Sequence, residues 1–108
     1  MICTDEQILN FLIVLETLKI AYIKDSCDGN WGEFDYEHKE DVIEIKISWA
    51  SYEEGADNNF TITLNESSIE MTQVEEGTTV YGEIDSTNTK TFNSLEEVGN
   101  YLISYFNL

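Results

Sequence analysis

The sequence predicts an α+β domain in which an N-terminal helix, an antiparallel meander of four to five strands and a C-terminal helix form a two-layer sandwich. Three observations lead to this prediction. Apolar residues recur at helical spacing near both ends of the chain, whereas the period changes to two between Trp31 and about Lys90. Short polar runs divide that central region. The 108 residues suit one domain, 1–108.

The first helix is predicted to begin after Thr4, an N-cap that forms a capping box with Gln7. Its apolar stripe consists of Ile8, Leu12, Leu15 and Leu18, and Leu9, Phe11 and Tyr22 are expected to widen it. The helix should end near Lys24, because the DSCDGN that follows is rich in turn-forming residues.

Five short strands are predicted between the helices. Their ranges are Trp31–His38, Val42–Tyr52, Asn59–Asn65, Ser68–Val74 and Thr79–Asp85. The second strand alternates most clearly, with Ile43, Ile45 and Ile47 on one face, and Val80 with Ile84 is expected to continue that apolar face in the fifth. The breaks EEGADN, NES and EEGT predict tight hairpin turns.

The second helix is predicted within NSLEEVGNYLISYFNL. Ser94 and Glu97 form another capping box, and the apolar positions Leu95, Val98, Leu102 and Phe106 fall on one face. Both helices can therefore cover the apolar face of the sheet.

The net charge of the chain indicates which kinds of molecule it could bind. A formal net charge of -17 comes from 22 Asp and Glu residues against five lysines. Direct binding to nucleic acid or to an anionic membrane requires basic patches, so neither is expected. A basic nucleic-acid-binding protein is the natural counterpart. Solubility alone is the competing interpretation, although the charge exceeds the magnitude of roughly 2–8 recommended for small domains.

The compartment is predicted from the cysteines and the N-terminal residues. Cys3 and Cys27 do not make a disulfide framework, and nothing indicates secretion. The N-terminal segment lacks the basic start of a signal peptide, and charged residues interrupt its apolar run, so it is not expected to span a membrane. We therefore expect a cytoplasmic protein.

The stretch GEFDYEHKED, residues 32–41, carries the clearest candidate site. Glu33, Asp35 and Glu37 would share one strand face at about 6.6–7 Å spacing. Phosphates along one nucleic-acid strand repeat at a similar distance, so this row can imitate a strand backbone. A solvated outer sheet face is the plainer interpretation. The predicted partner-binding residues are Glu33, Asp35, Glu37, Glu40, Asp41, Glu44, Glu53, Glu54, Asp57 and Tyr52.

Aromatic residues accompany these acids. If Glu33 and its neighbours face outward, Phe34 and Tyr36 should face the core. Tyr52, Trp31 and Tyr81 are expected to be partly exposed, and an exposed aromatic side chain among acids is typical of an interface anchor.

Catalysis is not expected. His38 is the only histidine, and its pairing with Cys3 or Cys27 as base and nucleophile is a weak signal. The run from Asp25 to Asn30 resembles a calcium loop in composition but not in ligand spacing. No metal site and no cofactor are therefore predicted.

Small size, a single domain, extreme acidity and the acidic row Glu33, Asp35 and Glu37 resemble the phage-encoded inhibitors that mimic DNA, which include anti-CRISPR and anti-restriction proteins. This resemblance implies a nucleic-acid enzyme as the target, with its cationic groove occupied competitively in the host cell cytoplasm. A Cas9-type effector is one such target, because basic side chains line its duplex channel.

Two other classes stay open. Immunity proteins that neutralise toxin nucleases are also small and acidic, and they also meet a basic target. An acidic protein that forms a homodimer, for instance by pairing exposed strand edges, would need no partner recruited by charge.

Overall fold

A computed structural model gives the fold and describes residues 3–25, 31–51 and 54–106. The elements are α1 (Asp5–Asp25), β1 (Trp31–Lys39), β2 (Val42–Ala50), β3 (Gly55–Leu64), β4 (Ile69–Thr79), β5 (Gly82–Phe92) and α2 (Leu95–Phe106). The strands form one antiparallel sheet in the order β1-β2-β3-β4-β5. The predicted α+β fold, a meander with a helix at each end, is confirmed.

Side-chain caps begin both helices, as predicted. The Gln7 amide N–H donates to Thr4 Oγ1 at 3.1 Å, and the Thr4 amide N–H donates to Gln7 Oε1 at 2.9 Å. At α2 the Glu97 amide N–H donates to Ser94 Oγ at 3.2 Å. The Glu97 carboxylate accepts instead from the Asn93 amide N–H, at 2.7 Å. Each cap satisfies backbone donors that the first helical turn leaves without an internal partner.

The core lies between the helices and one face of the sheet, here called the inner face. Its buried members include Phe34, Ile43, Ile45, Ile47, Phe60, Ile62, Leu64, Ile69 and Met71 from the strands. The helices contribute Ile8, Phe11, Leu15, Leu18, Leu95, Val98 and Leu102. The alternation predicted for the second strand is thus confirmed. Leu9, however, was expected on the apolar face of the first helix, and it is 58% exposed.

The last two strands depart from their predicted bounds. EEGT was predicted as a turn, but β4 continues through it to Thr79, and the hairpin turn lies at Val80 and Tyr81. Gly77 pairs with Ala56 of β3, and the two strands approach so closely there that a Cβ on Gly77 would lie 2.6 Å from the Ala56 Cα atom, so the position favours glycine. Val80 was expected in the core, and this prediction is wrong because Val80 lies in the exposed turn.

The third strand also begins earlier than predicted. EEGADN was expected to be a turn, but β3 begins at Gly55, inside it, while β2 ends at Ala50 instead of Tyr52. Gly55 pairs with Ala50 and Thr78, so sheet pairing extends over residues whose composition is typical of a turn.

A polar cluster lies where α2 ends over the inner face. Asn58 is 7% exposed, and its Nδ2 donates to the Tyr105 hydroxyl at 2.9 Å. Gln73 Nε2 donates to Asn58 Oδ1 at 3.0 Å, so both the donor and the acceptor of the buried Asn58 amide have partners.

The last strand is less well covered than the others. Most residues of β5 are exposed on both faces. The helices therefore cover the first four strands more completely than the fifth.

Candidate interaction surface

The face of the sheet opposite the core collects the carboxylates. Outward-facing residues alternate along each strand with residues of the inner face, and the strand register brings them together. The exposed carboxylates on this side are Glu33, Asp35, Glu37, Glu44, Asp57, Glu70, Glu76, Glu83 and Asp85. We call this surface the acidic sheet face. Among the residues that the structure describes, Lys39 and Lys46 are the lysines on this face.

The acids run across the strands as well as along them. In the register Glu33 faces Ser48, Ser48 faces Asp57, Asp57 faces Glu76 and Glu76 faces Asp85. Neighbouring strands lie about 4.8 Å apart, so this transverse row spans roughly 19 Å from β1 to β5. Like charges directly opposite each other are destabilising. Glu76 is flanked on both sides and carries the strongest local repulsion by this geometry.

Few contacts compensate this charge among the described residues. Lys19 Nζ on α1 lies 3.5 Å from Asp35 Oδ1, and Lys39 Nζ lies 3.3 Å from Glu37 Oε1. The Ser48 hydroxyl donates to Asp57 Oδ1 at 2.8 Å. Exposed ion pairs contribute little, typically about 0–1 kcal/mol. The acidic sheet face therefore presents a strong negative potential to solvent.

The structure places the predicted site residues in three groups. Glu33, Asp35, Glu37, Glu44 and Asp57 lie together on the acidic sheet face. Glu40 and Asp41 form the exposed turn between β1 and β2, at one end of that face.

The third group lies at the opposite end of the sheet. Glu54 is half-buried there, and its carboxylate accepts from the Val80 amide N–H at 3.2 Å. Glu54 therefore stabilises the β4–β5 turn through this hydrogen bond. Tyr52 and Glu53 lie outside the described residues.

Four acids of this surface were missed from the sequence. They are Glu70, Glu76, Glu83 and Asp85, all on β4 and β5. The alternation of Thr72, Val74 and Glu76 could have indicated the outward side of β4. This alternation was missed because EEGT was predicted to be a turn. A strand that ends at Val74 does not include Glu76, so no outward orientation could be assigned to that residue.

The aromatic residues of β1 face the core, as the alternation of side chains along that strand predicts. Phe34 is buried and Tyr36 is half-buried, both on the inner side of β1. The Tyr36 hydroxyl donates to Glu16 Oε2 at 2.6 Å, and the pKa of Tyr36 is raised to about 12, chiefly by this hydrogen bond and further by burial and the charge of Glu16. Tyr81, predicted to be partly exposed, is 97% exposed at the β4–β5 turn. The side chains of Trp31 and Tyr52 lie outside the described residues.

The groups considered for catalysis lie in unrelated settings. Cys3 is buried, and burial raises the pKa of its thiol, which lowers the share of reactive thiolate. His38 Nε2 lies 2.8 Å from the Glu40 carbonyl oxygen at the edge of the sheet. Cys27 and residues 26–30 of the calcium-like run lie outside the described residues. Among the described residues, there is no group of three or more His, Cys, Asp or Glu side chains that could hold a metal ion.

Comparison with protein-family models, curated proteins and solved structures finds no match for this chain. Within the described part of the chain, α1 and α2 both lack the combination of length and apolar character that crossing a bilayer requires.

Proposed function

We propose that this protein is a non-catalytic inhibitor that binds the basic nucleic-acid groove of a DNA- or RNA-processing enzyme, such as a Cas9-type effector. The observation that carries the proposal is the acidic sheet face, where the described residues include nine exposed carboxylates and two lysines. Folding does not require this excess, because repulsion between neighbouring carboxylates lowers stability. A basic partner would convert that repulsion into attraction.

The two-dimensional arrangement of the acids supports mimicry of nucleic acid. Along β1 the carboxylates of Glu33, Asp35 and Glu37 repeat every second residue, and the transverse row from Glu33 to Asp85 extends the charge over the width of the sheet. A groove that neutralises a phosphate backbone with Lys and Arg would find charges in both directions. Such complementarity speeds encounter and excludes partners of the wrong sign.

The scaffold under this face favours binding without rearrangement. The outward acids of β1 to β3 alternate with core residues such as Phe34, Ile45 and Phe60, which are at most 1% exposed. Strands held in this way keep the acids in a constant geometry. Less conformational freedom is then lost on binding.

The first test measures inhibition of DNA cleavage by a guide-loaded Cas9-type effector. In parallel, the immobilised protein captures partners from bacterial lysate, with elution by salt or by duplex DNA. The proposal predicts a captured nucleic-acid enzyme that salt releases and duplex DNA displaces. A captured toxin nuclease that DNA does not displace would favour an immunity protein. If no basic protein binds and no nuclease is inhibited, the proposal is wrong.

Charge-reversal variants then separate the acidic sheet face from net charge. One triple variant changes Glu33, Asp35 and Glu37 to Lys, and a second changes Asp57, Glu76 and Asp85 to Lys. The control changes Glu6, Glu66 and Glu96 to Lys, three exposed acids away from that face, with the same change in net charge. Both face variants should abolish inhibition, whereas the control should retain most of it. Equal losses in all three would show that only net charge matters.

A further inference from the structure

The last strand, β5, forms an edge of the sheet that stays unpaired. It pairs with β4 over all of its 11 residues, and its other side is open. Most of its side chains are exposed as well. An edge strand of this length presents a row of backbone donors and acceptors with which another extended chain can pair.

The hydrogen bonds of the β3–β4 turn show which backbone groups of β5 point outward. The Asn65 amide N–H donates to the Ser68 carbonyl oxygen at 2.9 Å, so these residues form a hydrogen-bonded pair. Such pairs alternate with non-hydrogen-bonded pairs along an antiparallel ladder. The next pair, Leu64 and Ile69, is therefore not hydrogen-bonded, and the backbone groups of Ile69 point instead to Phe92 of β5.

The same alternation, followed along β5, directs the N–H and C=O groups of its odd-numbered residues away from β4. These residues are Glu83, Asp85, Thr87, Thr89 and Thr91. We call them the free edge. Their backbone groups have no hydrogen-bond partner among the described residues. They are therefore available to a partner without the loss of an existing bond.

The free edge lacks the features that commonly prevent strand pairing. Its register with β4 continues without a bulge, and the chain contains no proline. Lys90 is the single lysine of β5, and its Nζ atom lies 5.3 Å from the centre of the Tyr101 ring on α2. The charge of Lys90 is thus directed toward the helix instead of the edge.

The opposite edge of the sheet, at β1, is protected by comparison. The Lys19 side chain starts from α1 on the inner side of the sheet and approaches Asp35 on the outer face, with 3.5 Å between Nζ and Oδ1. It therefore passes across the β1 edge. The Glu16 carboxylate also accepts from the Tyr36 hydroxyl of that strand. An incoming strand would have to displace side chains at β1 but not at β5.

From this geometry we infer that the free edge binds an extended, cationic segment of a partner protein, which adds a strand to the sheet beside β5. Charge selects this occupant. The side chains of the free edge lie on the acidic sheet face, and Glu83 and Asp85 stand directly beside the position of the added strand. Lysine or arginine at alternate positions of the segment would face them, and opposite charges in such cross-strand pairs are stabilising.

Charge disfavours a second copy of the chain at this edge. Pairing of two free edges would join two acidic sheet faces into one continuous surface, although each copy carries a net charge of -17. Thr87, Thr89 and Thr91 are uncharged and β-branched, so they suit strand pairing without selecting a particular neighbour. The segment can belong to any basic protein, so the inference does not require the partner to be a nuclease.

Peptide binding to the full chain, followed by NMR, tests this inference. The probe is a peptide of about nine residues, within the usual range of strand lengths, that alternates lysine with valine and has blocked ends. The control peptide carries a methyl group on the backbone nitrogen of each lysine, which keeps the charge and removes the donors that would face β5. The probe should slow amide hydrogen exchange along the free edge by about tenfold or more, and the control peptide should bind about tenfold more weakly.

Two variants examine the backbone contact from the side of the protein. Thr87→Pro removes the N–H in the middle of the free edge without breaking a bond to β4, and it should weaken binding of the probe by about tenfold. Thr87→Val is the matched control, because it keeps both the N–H and the net charge, and it should bind as the parent does. Circular dichroism checks the fold, and Thr89→Pro replaces Thr87→Pro if the latter does not fold.

Several outcomes would overturn the inference. Equal affinity for the two peptides would show that charge alone attracts them. Protection on β1 instead of the free edge, or no protection at millimolar probe, contradicts it as well. A free protein that sediments as a dimer with these amides already protected would assign the edge to a second copy. None of these outcomes decides the nuclease-inhibition test, because Thr87→Pro changes no carboxylate.

Discussion

The two faces of the sheet are formed by the same strands, but one face carries buried apolar side chains and the other carries exposed charged side chains. On the inner face Ile43 and Ile45 are at most 1% exposed, whereas Glu44 between them is exposed on the outer face. Burial of apolar area drives folding, so the inner face sets the stability of the domain. The outer face contributes repulsion and is free to serve another purpose. The comparison teaches that burial on the inner face and charge on the outer face act on stability in opposite directions.

The largest effect in this comparison is expected at the centre of the inner face. Ile62→Ala removes a fully buried side chain and leaves a cavity, so the free energy of unfolding should fall by about 2–5 kcal/mol. The adjacent Thr61→Ala on the outer face should change it by no more than about 0.5 kcal/mol. Denaturant titration followed by circular dichroism measures both. Similar losses for the two variants would refute the division between the faces.

A smaller effect of opposite sign is expected on the outer face. Glu76 lies between Asp57 and Asp85 in the transverse row, so Glu76→Gln should raise the free energy of unfolding by about 0.2–1 kcal/mol at low salt. The gain should shrink at high salt because the repulsion is screened. Glu66→Gln, in the exposed turn between β3 and β4, is the control. An equal gain from both would assign the effect to net charge alone.

The last effect is a change in the pH dependence of stability above pH 10, and it concerns Tyr36 on the inner side of β1. Its pKa is raised from 10.0 to about 12 in the folded state, chiefly by its hydrogen bond to Glu16. The unfolded chain therefore loses this proton first, and the stabilising contribution, complete below pH 10, is lost as the pH rises toward 12. Tyr36→Phe should unfold with a shallower pH dependence in that window. If the free energy of unfolding of Tyr36→Phe falls with pH as steeply as that of the parent between pH 10 and 12, the hydrogen bond does not determine the alkaline pH dependence.

Much of the fold could be predicted because its signals are local. The hydroxyl of Thr4 caps α1 through contacts within one helical turn. The alternation of Ile43, Ile45 and Ile47 assigns the faces of β2 from that strand alone. The acidic row of β1 follows from the same rule, since Phe34 must face inward if Glu33 and Asp35 face outward.

Long-range contacts decided the rest. Gly77 lies in a strand because it pairs with Ala56 of β3, a residue distant in sequence, and a Cβ on Gly77 would lie 2.6 Å from the Ala56 Cα atom. The transverse row depends on register, since no local pattern indicates that Asp57 and Asp85 flank Glu76.

The sequence by itself determined the helix–meander–helix order, the helix caps and the acidic row of β1, because spacing along one segment expresses each of them. Only the tertiary structure decided which apolar residues remain uncovered. Leu9 belongs to the same apolar helix as Leu15, yet one is 58% exposed and the other fully buried. Helical periodicity shows which side of a helix is buried only when the apolar residues lie on one side, and α1 has apolar residues on two opposite sides. The choice then depends on which neighbouring surfaces the folded chain brings against it.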